Sequence, residues 1–161
     1  MTTDHTVYAF EVVLHPRPPG AAVAGEHTDQ WGTWPVLEVP RAGLAEPFAI
    51  GFDAALASLD RLPRMFVEPD GAIVWRASKP GPNWQVDGNL AEREGGVLAV
   101  ELKGSCPAAE FDHLLAAFGW PEAAVMLQLV RAGVFVDEPT FRFHAAARGV
   151  LGAGQTLPVQ P

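Results

Sequence analysis

A pair of alternating segments joined by a polar turn constrains the fold of this chain more than any other feature. In residues 84–90 and again in residues 97–103, apolar and polar side chains alternate along the chain. Successive side chains of a β-strand point to opposite faces, so both segments are predicted to be strands with one buried and one solvated face. The short polar stretch between them contains two adjacent glycines, which favours an antiparallel hairpin.

This hairpin is expected to gather three charged side chains on its solvated face. A turn centred on the polar stretch sets Leu90 opposite Leu98. The same register sets Asp87 opposite Glu101, with Lys103 two positions further along the strand. Facing carboxylates repel each other at neutral pH, and the lysine offsets that repulsion only in part.

The charged cluster has two interpretations. As chemistry, two carboxylates with open oxygens beside a lysine suit a hard divalent cation, Mg²⁺ or Mn²⁺, which would activate water or stabilise charge on a phosphate. As structure, the same residues are the solvated side of a β-hairpin. The sequence leaves both interpretations open.

The rest of the chain alternates between strand-like and helix-like segments. Alternation over residues 6–14 predicts a first strand, whereas residues 16–46 are rich in proline and glycine and predict a long surface loop. Apolar stripes at helical spacing predict one helix over residues 47–62 and another over residues 105–119, the second capped by Ser105 or Cys106. The other expected elements are a hairpin around residues 68–71, strands at 124–130 and 134–136, and a helix that begins at Asp137.

Length and element order together predict one α+β domain. The 161 residues suit a single hydrophobic core. We expect a mainly antiparallel sheet that carries two main helices. Residues 1–148 would form the domain, with the N-terminal strand and loop in 1–46 and the core in 47–148, and residues 149–161 would be a flexible tail.

Composition narrows the classes of function. The formal net charge is −8, from 19 acidic residues against 11 Lys and Arg, which opposes attraction to a nucleic-acid backbone. No apolar run approaches the roughly 20 residues of a membrane span, and the N-terminus lacks a signal-peptide pattern, so a cytoplasmic location without a membrane partner is expected. Cys106 is the only cysteine, which rules out an intrachain disulfide and a cysteine-based zinc cage.

The spacing of Asp87 and the tripeptide Glu101-Leu102-Lys103 resembles the PD-(D/E)xK nuclease superfamily. The restriction-endonuclease-like core of that superfamily is ordered helix, three-strand meander, helix, strand, and the order predicted over residues 48–130 is similar. The resemblance implies that Asp87 and Glu101 hold the metal and that Lys103 assists catalysis. The first helix often supplies a further acid, and here it contains Asp53 and Asp60.

Two functions follow from these observations. The first is a metal-dependent nuclease or phosphodiesterase that acts on nucleic acid. The alternative is a non-catalytic protein–protein interaction module, such as an accessory subunit of a larger bacterial complex. Convergence of Arg76, Arg93 and Arg131 near Asp87 would favour the nuclease, whereas an exposed apolar patch or an unpaired sheet edge would favour the module.

A few residues outside the hairpin have both a structural and a functional interpretation. Trp31 and Trp34 either pack against the body of the protein or form a ligand-facing aromatic patch, and packing is favoured. His113 is expected to be an exposed helical residue, and His144 an edge residue of the last helix. Cys106, at the expected start of a helix, is either an activated thiol or a structural residue, and the structural role is favoured.

Overall fold

The computed structural model describes residues 6–78 and 80–151. Within these residues the chain forms one antiparallel sheet of nine strands, three α-helices and one short 3-10 helix. The strands are β1 (Val7–Pro16), β2 (Ala22–Asp29), β3 (Gly32–Glu38), β4 (Met65–Val67), β5 (Ala72–Arg76), β6 (Gln85–Arg93), β7 (Gly96–Pro107), β8 (Val125–Leu129) and β9 (Val134–Asp137). The helices are α1 (Phe52–Asp60), α2 (Ala108–Ala116) and α3 (Glu138–Leu151), and the 3-10 helix is Arg41–Ala45.

The sheet has the spatial order β2-β3-β9-β8-β1-β7-β6-β5-β4. Strands β4 to β7 form a continuous meander, while β1 lies at the centre between β7 and β8. Both edges are poor templates for another strand: β2 carries an irregularity around Gly25, which has a positive φ of 94°, and β4 has only three residues. The faces of the sheet are therefore more accessible to a partner than its two edge strands are.

All three helices pack on one face of the sheet. Apolar residues that alternate along β1 point into this layer, where the ring of Phe10 contacts Phe111 of α2 and Phe141 of α3. The α1 residues Phe52 and Leu59 are buried in the same cluster. The main core therefore lies between the sheet and the helices.

On the opposite face of the sheet, the described residues form a covering cluster near β3, β8 and β9. There, a small cluster joins Leu37 and Met126 to Leu44 of the 3-10 helix and to Phe135. Over β1, β7 and β6 none of the described residues covers the face. We call this region the open face, and its outward side chains are Glu11, Val13, Asp87, Asn89, Glu101 and Lys103.

The predicted α+β class and the single antiparallel sheet are confirmed. The element order predicted over residues 48–130 also appears, as α1, then β4 to β7, then α2 and β8. The expectation of two main helices was wrong by one, because α3 is a full helix of 14 residues. It begins where predicted, with Asp137 Oδ1 accepting a 2.8 Å hydrogen bond from the Thr140 backbone N–H as an N-cap.

The predicted long loop over residues 16–46 was wrong. The β2–β3 hairpin and the 3-10 helix occupy most of it. Strand β2 lies at the sheet edge, and all but two of its residues are exposed, so it has no alternating buried stripe that the sequence could display.

Both predicted helices were also placed too wide, since each begins later and ends earlier than predicted. Helix α1 begins at Phe52 because the preceding segment bonds to β7 instead, with the Phe48 backbone N–H donating to the Val97 carbonyl at 2.9 Å. Helix α2 begins at Ala108 because Ser105 and Cys106 still belong to β7, whose pairing with β1 continues to Pro107.

Of the predicted flexible tail, residues 149–151 form the end of α3. Residues 152–161 lie outside the described part of the chain.

Candidate functional site

The hairpin that carries the predicted site is closed by a two-residue turn, Glu94-Gly95, and both residues have positive φ angles of 53° and 83°. Such a turn matches the twist of two antiparallel strands. Beyond it, Ala91 pairs with Ala99 and Glu92 with Val97, so that Leu98 is an extra residue on β7. Because of this bulge, β7 residues before Leu98 point to the face opposite to the one that the alternation predicted. Val97 is therefore buried, although the alternation had assigned it to the solvated face.

The register expected from the sequence was wrong by two residues. Leu90 lies opposite Val100, Asp87 lies opposite Lys103, and Glu101 lies opposite Asn89. The tight turn accounts for one residue of the difference, and the bulge accounts for the other. The two carboxylates are therefore diagonal neighbours, and a lysine separates Asp87 from Glu11 across the sheet.

The facing of the three predicted site residues was correct, since Asp87, Glu101 and Lys103 are all exposed on the open face. Across β1, β7 and β6, one row reads Glu11, Lys103, Asp87, so that charges alternate. The next row contains Val13, Glu101 and Asn89. Together the two rows line a shallow depression of about 470 Å³.

Few contacts fix these side chains. The amide of Gln85 donates a 2.9 Å hydrogen bond to Oδ1 of Asp87, and Glu11 lies 3.5 Å from the guanidinium of Arg131. Over residues 6–78 and 80–151, no ion pair joins Asp87, Glu101 or Lys103 to another charged group. Their charges are consequently available to a ligand or partner.

The open face lacks several parts of a nuclease site. Asp53 and Asp60 are on α1, which packs on the other side of the sheet. Among the residues that the structure describes, no group of three or more His, Cys, Asp or Glu side chains is placed to hold a metal ion. The arginines Arg76, Arg93 and Arg131 do not line the depression.

A second polar site, which the sequence did not predict, lies between the β2–β3 hairpin and α3. It is a cleft of about 110 Å³ beside the end of β8, where the chain turns toward β9. We call it the hairpin cleft. Its charged, polar and aromatic lining residues are Phe10, Glu11, His27, Asp29, Trp31, Arg131, His144 and Arg148.

Asp29 organises one wall of the hairpin cleft. Its Oδ1 accepts hydrogen bonds from the Trp31 backbone N–H at 2.9 Å and from the Trp34 indole at 3.0 Å. Its Oδ2 accepts a 2.8 Å hydrogen bond from Nε2 of His144. Burial raises the pKa of Asp29, but the hydrogen bonds from Trp34, His144 and Trp31 outweigh it and hold the pKa below its ordinary value. Asp29 is therefore an ionised acceptor at neutral pH.

His144 was expected at the edge of α3 but is buried, with 4% of its surface exposed. Its ring contacts Trp31 and Trp34 edge-on, with centroid distances of 5.6 and 5.1 Å. Burial lowers its pKa, and the bond to Asp29 only partly offsets that effect, so the imidazole is neutral at neutral pH. Because a carboxylate only accepts hydrogen bonds, Nε2 carries the proton.

Helical spacing could have identified this part of the cleft. His144 and Arg148 follow the buried Phe141 by three and seven positions, which places all three near one stripe of α3. The partner residue Asp29 gave no such signal. Its strand was not recognised in the sequence, and the two interacting residues are 115 positions apart.

Arg148 lies above the ring of Trp31, with 5.0 Å between the guanidinium carbon and the ring centroid. Burial lowers its pKa, as does the nearby charge of Arg131, and the attraction of Glu11 and Asp29 offsets these effects only in part. Within the described chain its guanidinium has no hydrogen bond or ion pair. The hairpin cleft therefore contains a half-buried guanidinium that, among the described residues, is attracted by carboxylates but is hydrogen-bonded to none of them.

The remaining sequence candidates are structural. Cys106 is fully buried in β7, and burial raises the pKa of its thiol well above the ordinary value, which excludes an activated thiolate at neutral pH. His113 is exposed on α2, as predicted. Trp34 packs against His144, whereas Trp31 also lines the hairpin cleft, so both alternatives for this pair of tryptophans apply in part.

Comparisons with known proteins add no family to these observations. No protein-family model matches the chain, and no curated protein and no solved structure matches it either. In the described residues, no helix is both long and apolar enough to cross a membrane.

Proposed function

We propose that this protein is a non-catalytic binding module that holds a basic, extended segment of a partner protein on its open face. The observation that carries the proposal is the arrangement of charges over the central strands. Glu11, Asp87 and Glu101 surround a single lysine, Lys103, in an uncovered depression. Even with Glu11 paired to Arg131, the acids Asp87 and Glu101 outnumber Lys103, and acids also outnumber bases in the whole chain, so a cationic partner is electrostatically complementary.

The form of the surface supports an extended occupant. The depression crosses three neighbouring strands and contains apolar surface from Val13 and Val130 between the charged groups. Pairing along a sheet edge is a less suitable mode of binding, since β2 is irregular and β4 is very short. A segment laid across the face could place apolar side chains on the valines and cationic side chains on the carboxylates.

A metal-dependent nuclease with a restriction-endonuclease-like core is the second candidate function. The observation in its favour is that Asp87, Glu101 and Lys103 share one exposed face. It ranks lower because no three His, Cys, Asp or Glu side chains of the described residues are placed to hold a metal ion, and because the depression has no arginine to receive a polyanion.

The two candidates can be separated with one pair of variants. Asp87→Asn with Glu101→Gln removes two charges from the open face, while Asp60→Asn with Glu68→Gln removes two exposed charges outside the depression. An oligolysine peptide is titrated into wild type and both double variants by calorimetry at low and moderate salt. The module predicts binding that salt weakens, that the open-face variant reduces several-fold, and that the control variant retains.

Equal loss of peptide binding in both double variants would contradict a site on the open face, because it would mean attraction to net charge alone. A parallel titration with Mn²⁺ tests the nuclease. Saturable Mn²⁺ binding that Asp87→Asn abolishes, together with cleavage of a nucleic-acid substrate, would replace the binding module by the metal-dependent enzyme.

A further inference from the structure

We propose that the hairpin cleft is a binding site for a small oxyanion, a carboxylate or a phosphate, with Arg148 as its principal ligand and Arg131 as the second. This site adjoins the proposed protein-binding surface, with which it shares Glu11, but the proposal does not depend on that surface. The inference starts from Arg148, whose guanidinium lies within the cleft without a hydrogen bond or ion pair from the described residues. A desolvated cation is costly unless an anion or hydrogen-bond acceptors compensate it.

The acids of the cleft, Glu11 and Asp29, attract Arg148 but do not pair with it. Both oxygens of Asp29 already accept hydrogen bonds, from the tryptophan pair and from His144. Glu11 lies against Arg131 rather than Arg148, at 3.5 Å. With Asp29 and Glu11 engaged in this way, both attract Arg148 electrostatically, but neither accepts a hydrogen bond from its guanidinium.

The chemistry of the lining favours an oxyanion over other ligands. A guanidinium presents several N–H donors in one plane, which matches the paired oxygens of a carboxylate or phosphate. Stacking on Trp31 limits the orientation of Arg148 before any ligand arrives. A cationic ligand would meet two arginines beside carboxylates that are already hydrogen-bonded or paired, and a purely apolar ligand would leave the arginine donors without acceptors.

The size of the cleft limits the ligand further. About 110 Å³ accommodates a small anion or the acidic end group of a larger molecule, but not a nucleotide. Arg131 is suited to a closing role, since 85% of its side chain is exposed and its pairing with Glu11 is loose. On binding, it could turn from Glu11 to the anion without disturbing the core.

The hydrogen bond between Asp29 and His144 holds the two walls of the site together. It joins the end of β2 to α3, the helix that also carries Arg148. Asp29 and His144 therefore act as positioning residues that keep Trp31 beneath the guanidinium. They are not proposed to contact the anion.

The test uses inorganic phosphate and acetate as probes, titrated into the full chain at constant ionic strength maintained with sodium chloride. Two-dimensional NMR of the ¹⁵N-labelled protein follows the indole N–H signals, with the Trp31 signal assigned from a Trp31→Phe variant. At least one probe is expected to shift the Trp31 signal saturably. Arg148→Gln should weaken this binding at least tenfold, whereas Arg61→Gln, at an exposed arginine that does not line the cleft, should leave it unchanged.

Arg131→Gln gives a second test that does not depend on the stability of the Arg148 variant. Because the Arg131 side chain is exposed, this variant should fold as wild type and bind the probe several-fold more weakly. The proposal is overturned if neither probe shifts the Trp31 signal saturably. It is also overturned if folded Arg148→Gln binds the probe as tightly as wild type does.

Discussion

Nε2 of His144 donates a 2.8 Å hydrogen bond to Oδ2 of Asp29, across 115 positions of sequence. This contact fastens the β2–β3 hairpin to α3. The hairpin joins the rest of the sheet through β3 alone, by its pairing with β9. The hydrogen bond is therefore a major link between the hairpin and the remainder of the protein.

Replacing Asp29 by alanine should destabilise the fold by about 2 kcal/mol, since it leaves the His144 ring, the Trp34 indole and the Trp31 amide without their acceptor. Urea unfolding followed by tryptophan fluorescence measures the change. Asp53→Ala, at an exposed acid on α1, is the control and should cost clearly less. Equal effects of the two variants would contradict a fastening role for Asp29.

Stability should fall as the pH decreases below about 6.5, because of His144. Burial lowers its folded-state pKa, so between that value and the ordinary one the unfolded chain binds more protons. The charged or titratable groups that influence it are Asp29, Arg148 and His27. The free energy of unfolding of wild type and His144→Gln, measured from pH 7.5 down to 5.5, should show a shallower decline in the variant.

His15 should contribute to the same acid sensitivity through a different environment. Burial lowers its pKa, and its Nε2 is buried with no hydrogen-bond partner in the described structure, beside the ring of Phe135. His15→Leu removes both the proton uptake on unfolding and the unpaired polar atom. We expect this variant to be as stable as wild type at pH 7.5 and more stable at pH 5.5. A steeper loss of stability in acid would contradict the explanation.

Arg142 should be the most important cation for stability. Its guanidinium lies 2.7 Å from Oδ1 of Asp112, donates to Glu138, and donates to the Tyr8 hydroxyl at 3.3 Å. These contacts connect α3 to α2 and β1. Arg142→Met keeps much of the side-chain volume but leaves two carboxylates without their counter-ion, so we expect a loss of about 2–4 kcal/mol. Arg61→Met, at an exposed position, should change the free energy of unfolding by less than about 0.5 kcal/mol.

Gly104 should tolerate no side chain. It has a positive φ of 139° in β7, and a Cβ there would lie 2.1 Å from the carbonyl oxygen of Gln85. Gly104→Ala therefore requires the β6–β7 pairing to shift, at a cost of about 3 kcal/mol. Gly95→Asn is a suitable control, since its turn position has a φ of 83° and no neighbouring atom within 4 Å of a Cβ. Thermal unfolding should show a large decrease in Tm for the first variant and a small change for the second.

The meander was predictable because its signals are local. Alternation identified the strands around Asp87 and Glu101, and apolar stripes at helical spacing identified α1 and α2. Strand β2 was missed because it lacks such a local signal: an edge strand exposed on both sides has no buried stripe. His144 was assigned to the edge of α3 because its burial comes from a hairpin that the sequence did not reveal.

The sequence by itself determined which faces of the central strands meet solvent, and it placed Asp87, Glu101 and Lys103 correctly on one of them. Apolar and polar residues alternate with a period of two along a strand, and this alternation indicates which residues are buried. The information is therefore contained in each strand alone. Only the tertiary structure decided that Asp87 faces Lys103, because register depends on the turn and on the bulge at Leu98. The tertiary structure also determined that the hairpin cleft forms, because the approach of Asp29 to His144 depends on the path of the whole chain between them.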